Sequence, residues 1–124
     1  MPFICPQCET AHLVITHSLA LPPDNRSDEI ILQLMQCNTC LLKALAVYQE
    51  SRRGAIDHES WDHSDYLISV EDWESVQTIL IACPQPDNPA CNCATHQKYK
   101  QYDQQGIWHG LNEISTSNSF KVSY

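Results

Sequence analysis

Seven cysteines and six histidines carry most of the chemistry open to this 124-residue chain, and the cysteines are grouped. Cys5-Pro-Gln-Cys8 and Cys37-Asn-Thr-Cys40 are CxxC pairs; Cys83, Cys91 and Cys93 follow, with His96 close behind. An odd count leaves a complete disulfide framework one thiol over. Two residues between cysteines let a tight turn aim both sulfurs at one point. Two such turns supply the four thiolates of a closed tetrahedral Zn²⁺ site, with Zn–S bonds near ~2.3 Å. The alternative, a redox pair, expects a single CxxC opening a helix in a βαβ unit, not two motifs of which the first follows Pro2-Phe3-Ile4.

Cys83, Cys91, Cys93 and His96 place three sulfurs and one imidazole in a short stretch stiffened by Pro84, Pro86 and Pro89. A helix beginning at Cys93 puts Cys93 and His96 on one face, with the thiolate favoured by the helix dipole. Three thiolates and one imidazole are a known zinc set, so a second Zn²⁺ site is expected here, giving two ions per chain and a use for every cysteine. The competing readings are buried core thiols with a surface histidine, or a [2Fe–2S] centre.

The other histidines suggest less. His58 and His63 match neither HExxH nor the H-x-E pattern of zinc deaminases and are read as exposed loop residues. His12 and His17 fall in an expected strand and His109 in a late loop beside Trp108, where packing is the ordinary role. Phosphate-loop and G-x-S-x-G patterns are absent, and three glycines leave little scope for either. No catalytic residue is assigned.

The elements that must position these ligands can be read from periodicity. Thr10 to Leu21 is largely apolar and β-branched, Pro22-Pro23-Asp24-Asn25 breaks it, Ile30 to Gln36 leads into the second pair, and Lys43 to Gln49 follows Cys40 before Arg52-Arg53-Gly54. Three strands with both cysteine turns at one end let a metal stand in for a core this small segment could not build alone. Further on, Ser69 caps a helix beginning at Val70, with Asp72 placed like the acid of a capping box. Val70, Trp73, Val76, Leu80 and Cys83 recur at three- and four-residue steps. That stripe is read as core and delivers Cys83 at the helix end; a strand over Thr78 to Ala82 is the alternative.

Residues 3–50 resemble a zinc ribbon, the broad class in which CPxC and CxxC turns sit on facing β-hairpins. The resemblance implies Cys5, Cys8, Cys37 and Cys40 as ligands and an antiparallel sheet, but no particular activity. Many ribbons carry Gly just after the second cysteine of each turn; this chain has Glu9 and Leu41, so less regular turns are expected.

The expected fold is α+β: an N-terminal antiparallel three-stranded zinc ribbon over residues 1–54, then an acidic loop and helical segment over 55–124 with the second metal cluster, packed on the ribbon as one unit. Apolar runs are too short to span a membrane, and the start lacks a basic and apolar leader, so a reducing, cytoplasmic setting is expected. Net charge is −8, and Gly54 to Gln97 holds no Lys or Arg. Two zinc sites of these types carry about −3 more, which disfavours duplex DNA. The favoured role is that of a non-enzymatic adaptor or regulator of a basic protein partner. The alternatives are an iron–sulfur or redox protein and an RNA-binding ribbon using Lys98 to Tyr102.

Overall fold

The computed structural model describes residues 3–25, 27–51, 60–111 and 119–120. His58, Asp57, Glu59 and the Arg52-Arg53-Gly54 terminator lie outside the described residues. One antiparallel sheet runs in chain order, β1 (Leu13–Leu21), β2 (Glu29–Cys37), β3 (Lys43–Ser51), β4 (Ser60–Leu67) and β5 (Ser119–Phe120). Two helices, α1 (Val70–Ile81) and α2 (Ala94–Tyr99), follow the fourth strand.

The three strands expected from the pattern are present, but the described sheet has five, not three. The addition that matters is β4, which occupies the stretch read as an acidic loop. It pairs with β3 from Ala44↔Leu67 to Ser51↔Ser60, so the sheet continues past residue 54. Its strand character comes from its partner: β3 is apolar on both faces and needs a neighbour on its second edge, while β4 brings polar side chains to a ladder whose backbone bonds do not depend on side-chain type. His63 is therefore no loop residue. It stacks on Phe3 with ring centroids 5.7 Å apart, meets Gln33 Oε1 through Nε2 at 2.8 Å, and lies 2.6 Å from Asp65 Oδ1.

Alternation along β2 and β3 divides the core. Leu32, Leu34 and Leu45 are completely buried and, with Val47, form one core with Trp73, Val76 and Leu80 of α1. Each leucine so buried contributes about 1.5–3 kcal/mol. A smaller apolar cluster holds Phe3, Leu13, Met35, Ala44 and Ala46 around Cys5 and Cys37. Helix α1 begins as expected, with Ser69 Oγ accepting from the Asp72 N–H at 3.1 Å, and no strand forms over residues 78–81. Its stripe is narrower than the sequence suggests, because Val70 is 53% exposed in the first turn. Trp73 fixes the helix on the sheet by donating from Nε1 to the Met35 carbonyl at 3.0 Å, with Lys43 Nζ 4.3 Å over its ring.

Beyond α2, Tyr102 and Trp108 bridge a small hairpin whose turn has Gly106 at φ +75°. Asp24, buried in the β1–β2 connection, receives the Ser27 N–H on Oδ1 at 2.5 Å and the Trp108 N–H on Oδ2 at 2.8 Å. Asn25 bonds the Gly106 and Gln105 carbonyls at 2.9 and 2.7 Å. The turn after β1 thus anchors the chain more than eighty residues further on.

Candidate metal centres

The first quartet is built from two copies of one turn. In each, the first cysteine Sγ receives the N–H two residues on, Gln7 to Cys5 and Thr39 to Cys37, both at 3.4 Å. The first carbonyl accepts from the residue after the second cysteine, Glu9 to Cys5 and Leu41 to Cys37, both at 3.0 Å. The turns close through Cys5 N–H to Thr10 O at 2.8 Å and Cys37 N–H to Leu42 O at 2.9 Å. Glu9 and Leu41 hold φ of +61° and +65°. The two turns therefore match each other in geometry, contrary to the expectation of irregularity, and each sets a non-glycine residue in the left-handed region. His12 joins them: its carbonyl accepts the Asn38 N–H at 2.9 Å and its Nδ1 lies 2.5 Å from Thr39 Oγ1.

The four sulfurs converge. Cys5 and Cys40 Sγ are 3.5 Å apart and Cys8 and Cys37 Sγ 3.6 Å apart, with all four donors within 4.8 Å of one another. Sulfurs of a tetrahedral Zn²⁺ at bonds of about 2.3 Å stand about 3.8 Å apart, so the spacing suits one ion. All seven cysteines are free. The Thr10 hydroxyl and N–H hold the Cys8 thiol below the ordinary thiol range. Desolvation pushes Cys37 up, but the N–H groups of Cys40 and Thr39 and the neighbouring thiols outweigh it and bring it to about 6. Desolvation dominates at Cys40 and pushes it up to about 12. Four thiols this close cannot all ionise without mutual repulsion, which a divalent cation relieves.

The second quartet joins the end of α1 to the start of α2. Cys83 follows the α1 cap, its N–H bonding Leu80 O at 3.1 Å, and Cys91 is turned inward by an N–H bond to Asn88 O at 3.0 Å. Cys93 is the cap of α2, its sulfur accepting the His96 N–H at 3.4 Å. Cys83 Sγ lies 3.9 Å from Cys91 Sγ and 3.4 Å from Cys93 Sγ, and His96 Nδ1 is 3.3 Å from both Cys83 and Cys93 Sγ. Desolvation pushes the Cys83 thiol up to about 11; at Cys93 it is outweighed by the N–H and ring of His96, which bring that thiol to about 6.

His96 is 1% exposed and both ring nitrogens are engaged. Nδ1 faces the sulfurs while Nε2 lies 2.9 Å from the Ala20 carbonyl. Nε2–H therefore donates to Ala20 and leaves the Nδ1 lone pair for a metal, the arrangement by which a second bond fixes a ligand's tautomer. The Ala20 N–H is taken too, by Pro86 O at 2.8 Å, so the outer edge of β1 is clipped at this residue by the loop that carries the ligands. Thr95 Oγ1 donates to Ile79 O at 2.6 Å and holds α2 against α1.

The structure thus brings together Cys5, Cys8, Cys37 and Cys40 in one group and Cys83, Cys91, Cys93 and His96 in another, each able to hold a metal ion. His17 lies edge-on to Trp73 at 6.1 Å, and His109 is exposed in the late hairpin. Thr10, the Ala20 backbone and Asp24 were missed from sequence. Asp24 had a signal in its Pro-Pro-Asp-Asn setting, whereas a main-chain carbonyl has none.

Fold and site define a class: an antiparallel β-meander backed by helices, with two four-donor Cys/His groups, the first compatible with a zinc ribbon. Comparison with protein-family models, curated proteins and solved structures finds no match to this chain. No helix among the described residues is long and apolar enough to cross a membrane.

Proposed function

We propose that the protein holds two structural Zn²⁺ ions and acts non-enzymatically, as an adaptor or regulator that offers an acidic surface to a basic protein partner. The observation that supports this best is the donor count: each group offers four donors within 4.8 Å of one another, and a tetrahedral ion held by four protein ligands has no position left for water or substrate. Donors grouped around a single point also favour one ion over a two-iron cluster, whose ligands divide between two metals. When bound, the zinc would supply cross-linking of strands and loops and no reaction step. Seven free thiols fit a reducing compartment, the cytoplasm being the simplest. The −8 charge, lowered by about 3 when both sites are filled, opposes duplex DNA and favours a cationic partner.

Metal analysis together with an absorption spectrum tests the first half. Two zinc ions per chain and no visible absorption are expected, and visible bands of iron–sulfur character would refute it. A gel-shift series tests the second: tight duplex binding at physiological salt would overturn the partner class.

A further inference from the structure

The outer edge of β1 is occupied at both ends and open between them. At one end Leu13 exchanges backbone bonds with Phe3 at 2.7 and 3.1 Å; at the other Ala20 bonds Pro86 O and His96 Nε2. The register shift between Ile15 and His17 leaves Thr16 without a partner residue on β2, and pairing resumes from His17 onward. Backbone groups of Leu13 and Ala20 point away from β2, and residues two apart share that direction, so Ile15 and Ser18 present N–H and C=O groups outward with no partner among the described residues. The bulge at Thr16 limits the open stretch to a few residues, which is how edges are kept from pairing without limit.

Beside this gap lies a groove of about 460 Å³, lined by Ile15, His17, Leu80, Ile81, Pro86 and Asp87 among others. Two of its apolar walls face water: Ile15 is 39% and Ile81 63% exposed. Free main-chain groups next to an apolar slot are the two components by which a sheet edge takes up an extended peptide, the backbone bonds giving affinity and the slot selecting alternate side chains.

We infer that the β1 edge between Ile15 and Ser18 is a docking site for a short extended segment of a partner protein, with apolar side chains in the groove and Lys or Arg beside Asp87. The inference rests on the partner-binding role proposed above and names its surface. Charge selects the occupant. Among the described residues the groove is lined by one carboxylate and by no Lys or Arg, which suits a cationic segment. A second copy of this chain would bring another charge of −8 to the same edge, and such repulsion opposes pairing.

The probe is a blocked hexapeptide alternating Lys and Val, with its Glu–Val counterpart as control, titrated into the zinc-loaded protein at low salt and followed by amide chemical shifts. Saturable binding of the Lys–Val peptide alone is expected, with shifts centred on Ile15 to Ser18 and Leu80 to Ile81. Ser18→Pro removes an outward N–H without touching the β2 ladder and should weaken binding by about fivefold to tenfold. Asp87→Lys should weaken it by about fivefold, an effect that fades as salt is raised. Equal binding of both peptides, an unchanged affinity in Ser18→Pro, shifts confined to other surfaces, or a dimer formed through this edge in sedimentation would each overturn the inference. Zinc is counted in the same samples. Two ions per chain with no peptide bound overturns the docking site and leaves the proposed function standing, whereas fewer than two overturns the reading on which it rests.

Discussion

Replacing His96 by Ala separates what the metal contributes from what the surrounding bonds contribute. The side chain is fully enclosed, with one nitrogen toward three sulfurs and the other on the Ala20 carbonyl. Its loss leaves three thiols with one donor too few and a half-buried carbonyl without its partner. Orphaning such an acceptor costs about 1–3 kcal/mol whether or not metal is present. The metal contribution has a different form. A ligand that binds only the folded chain stabilises it by RT ln(1 + [L]/Kd), so each occupied site adds about 1.4 kcal/mol per tenfold rise in free zinc once the site is near saturation. Two sites give a slope of about 2.8 kcal/mol per decade. Denaturant unfolding in a series of zinc buffers should show that slope for the parent chain. For His96→Ala it should show about half the slope, with the whole line displaced downward by the carbonyl's cost. A variant line parallel to the parent line means that His96 takes no part in metal binding. A parent slope near 1.4 means that only one of the two groups holds zinc.

Three other perturbations follow from the geometry. Glu9 is exposed at φ +61°, so Glu9→Gly should raise stability by about 0.5–1 kcal/mol in thermal melts, and Glu9→Val should lower it. Zinc binding at pH 7 should release protons, because Cys40 and Cys83 stand at about 12 and 11 and must lose them to become ligands. Affinity should therefore climb as pH rises above 7 and fall away below about 6, where Cys37 and Cys93 take up protons, and calorimetry in buffers of different ionisation enthalpy counts the protons. His63→Ala removes the ring that lies 2.6 Å from Asp65 Oδ1 and leaves that carboxyl group, 1% exposed, with a buried polar neighbour fewer, which should cost about 1–3 kcal/mol in denaturant unfolding.

The parts of the molecule that could be read from sequence are those where chemistry and spacing coincide. Cys5, Cys8, Cys37 and Cys40 declare themselves because few structures other than paired turns around a metal need that spacing, and α1 because Ser69 and the step from Trp73 to Val76 to Leu80 agree. What was missed has a common physical cause. Strand β4 reads Ser-Trp-Asp-His-Ser-Asp-Tyr-Leu, and one of its inward residues is acidic; burying Asp65 beside His63, whose other ring nitrogen meets Gln33, is a tertiary arrangement that inverts the usual polarity of a buried face. The left-handed Glu9 and Leu41 were misjudged because propensity argues for Gly there, whereas the hydrogen bonds of each turn hold the backbone regardless. The clip at Ala20 uses only main-chain atoms and leaves no trace in residue types.

The two quartets differ in how far apart their ligands lie along the chain. Contacts in the first span 35 and 29 residues and require β1 and β2 to have come together, while Cys83 and His96 are 13 residues apart. Closing the shorter loop is cheaper by about 0.9 kcal/mol in chain entropy alone. Its donors also sit on one continuous stretch that needs no sheet to bring them near each other. A refolding chain therefore meets two unlike closures: the C-terminal donors can gather as a local event, whereas the N-terminal quartet gathers only as the meander forms.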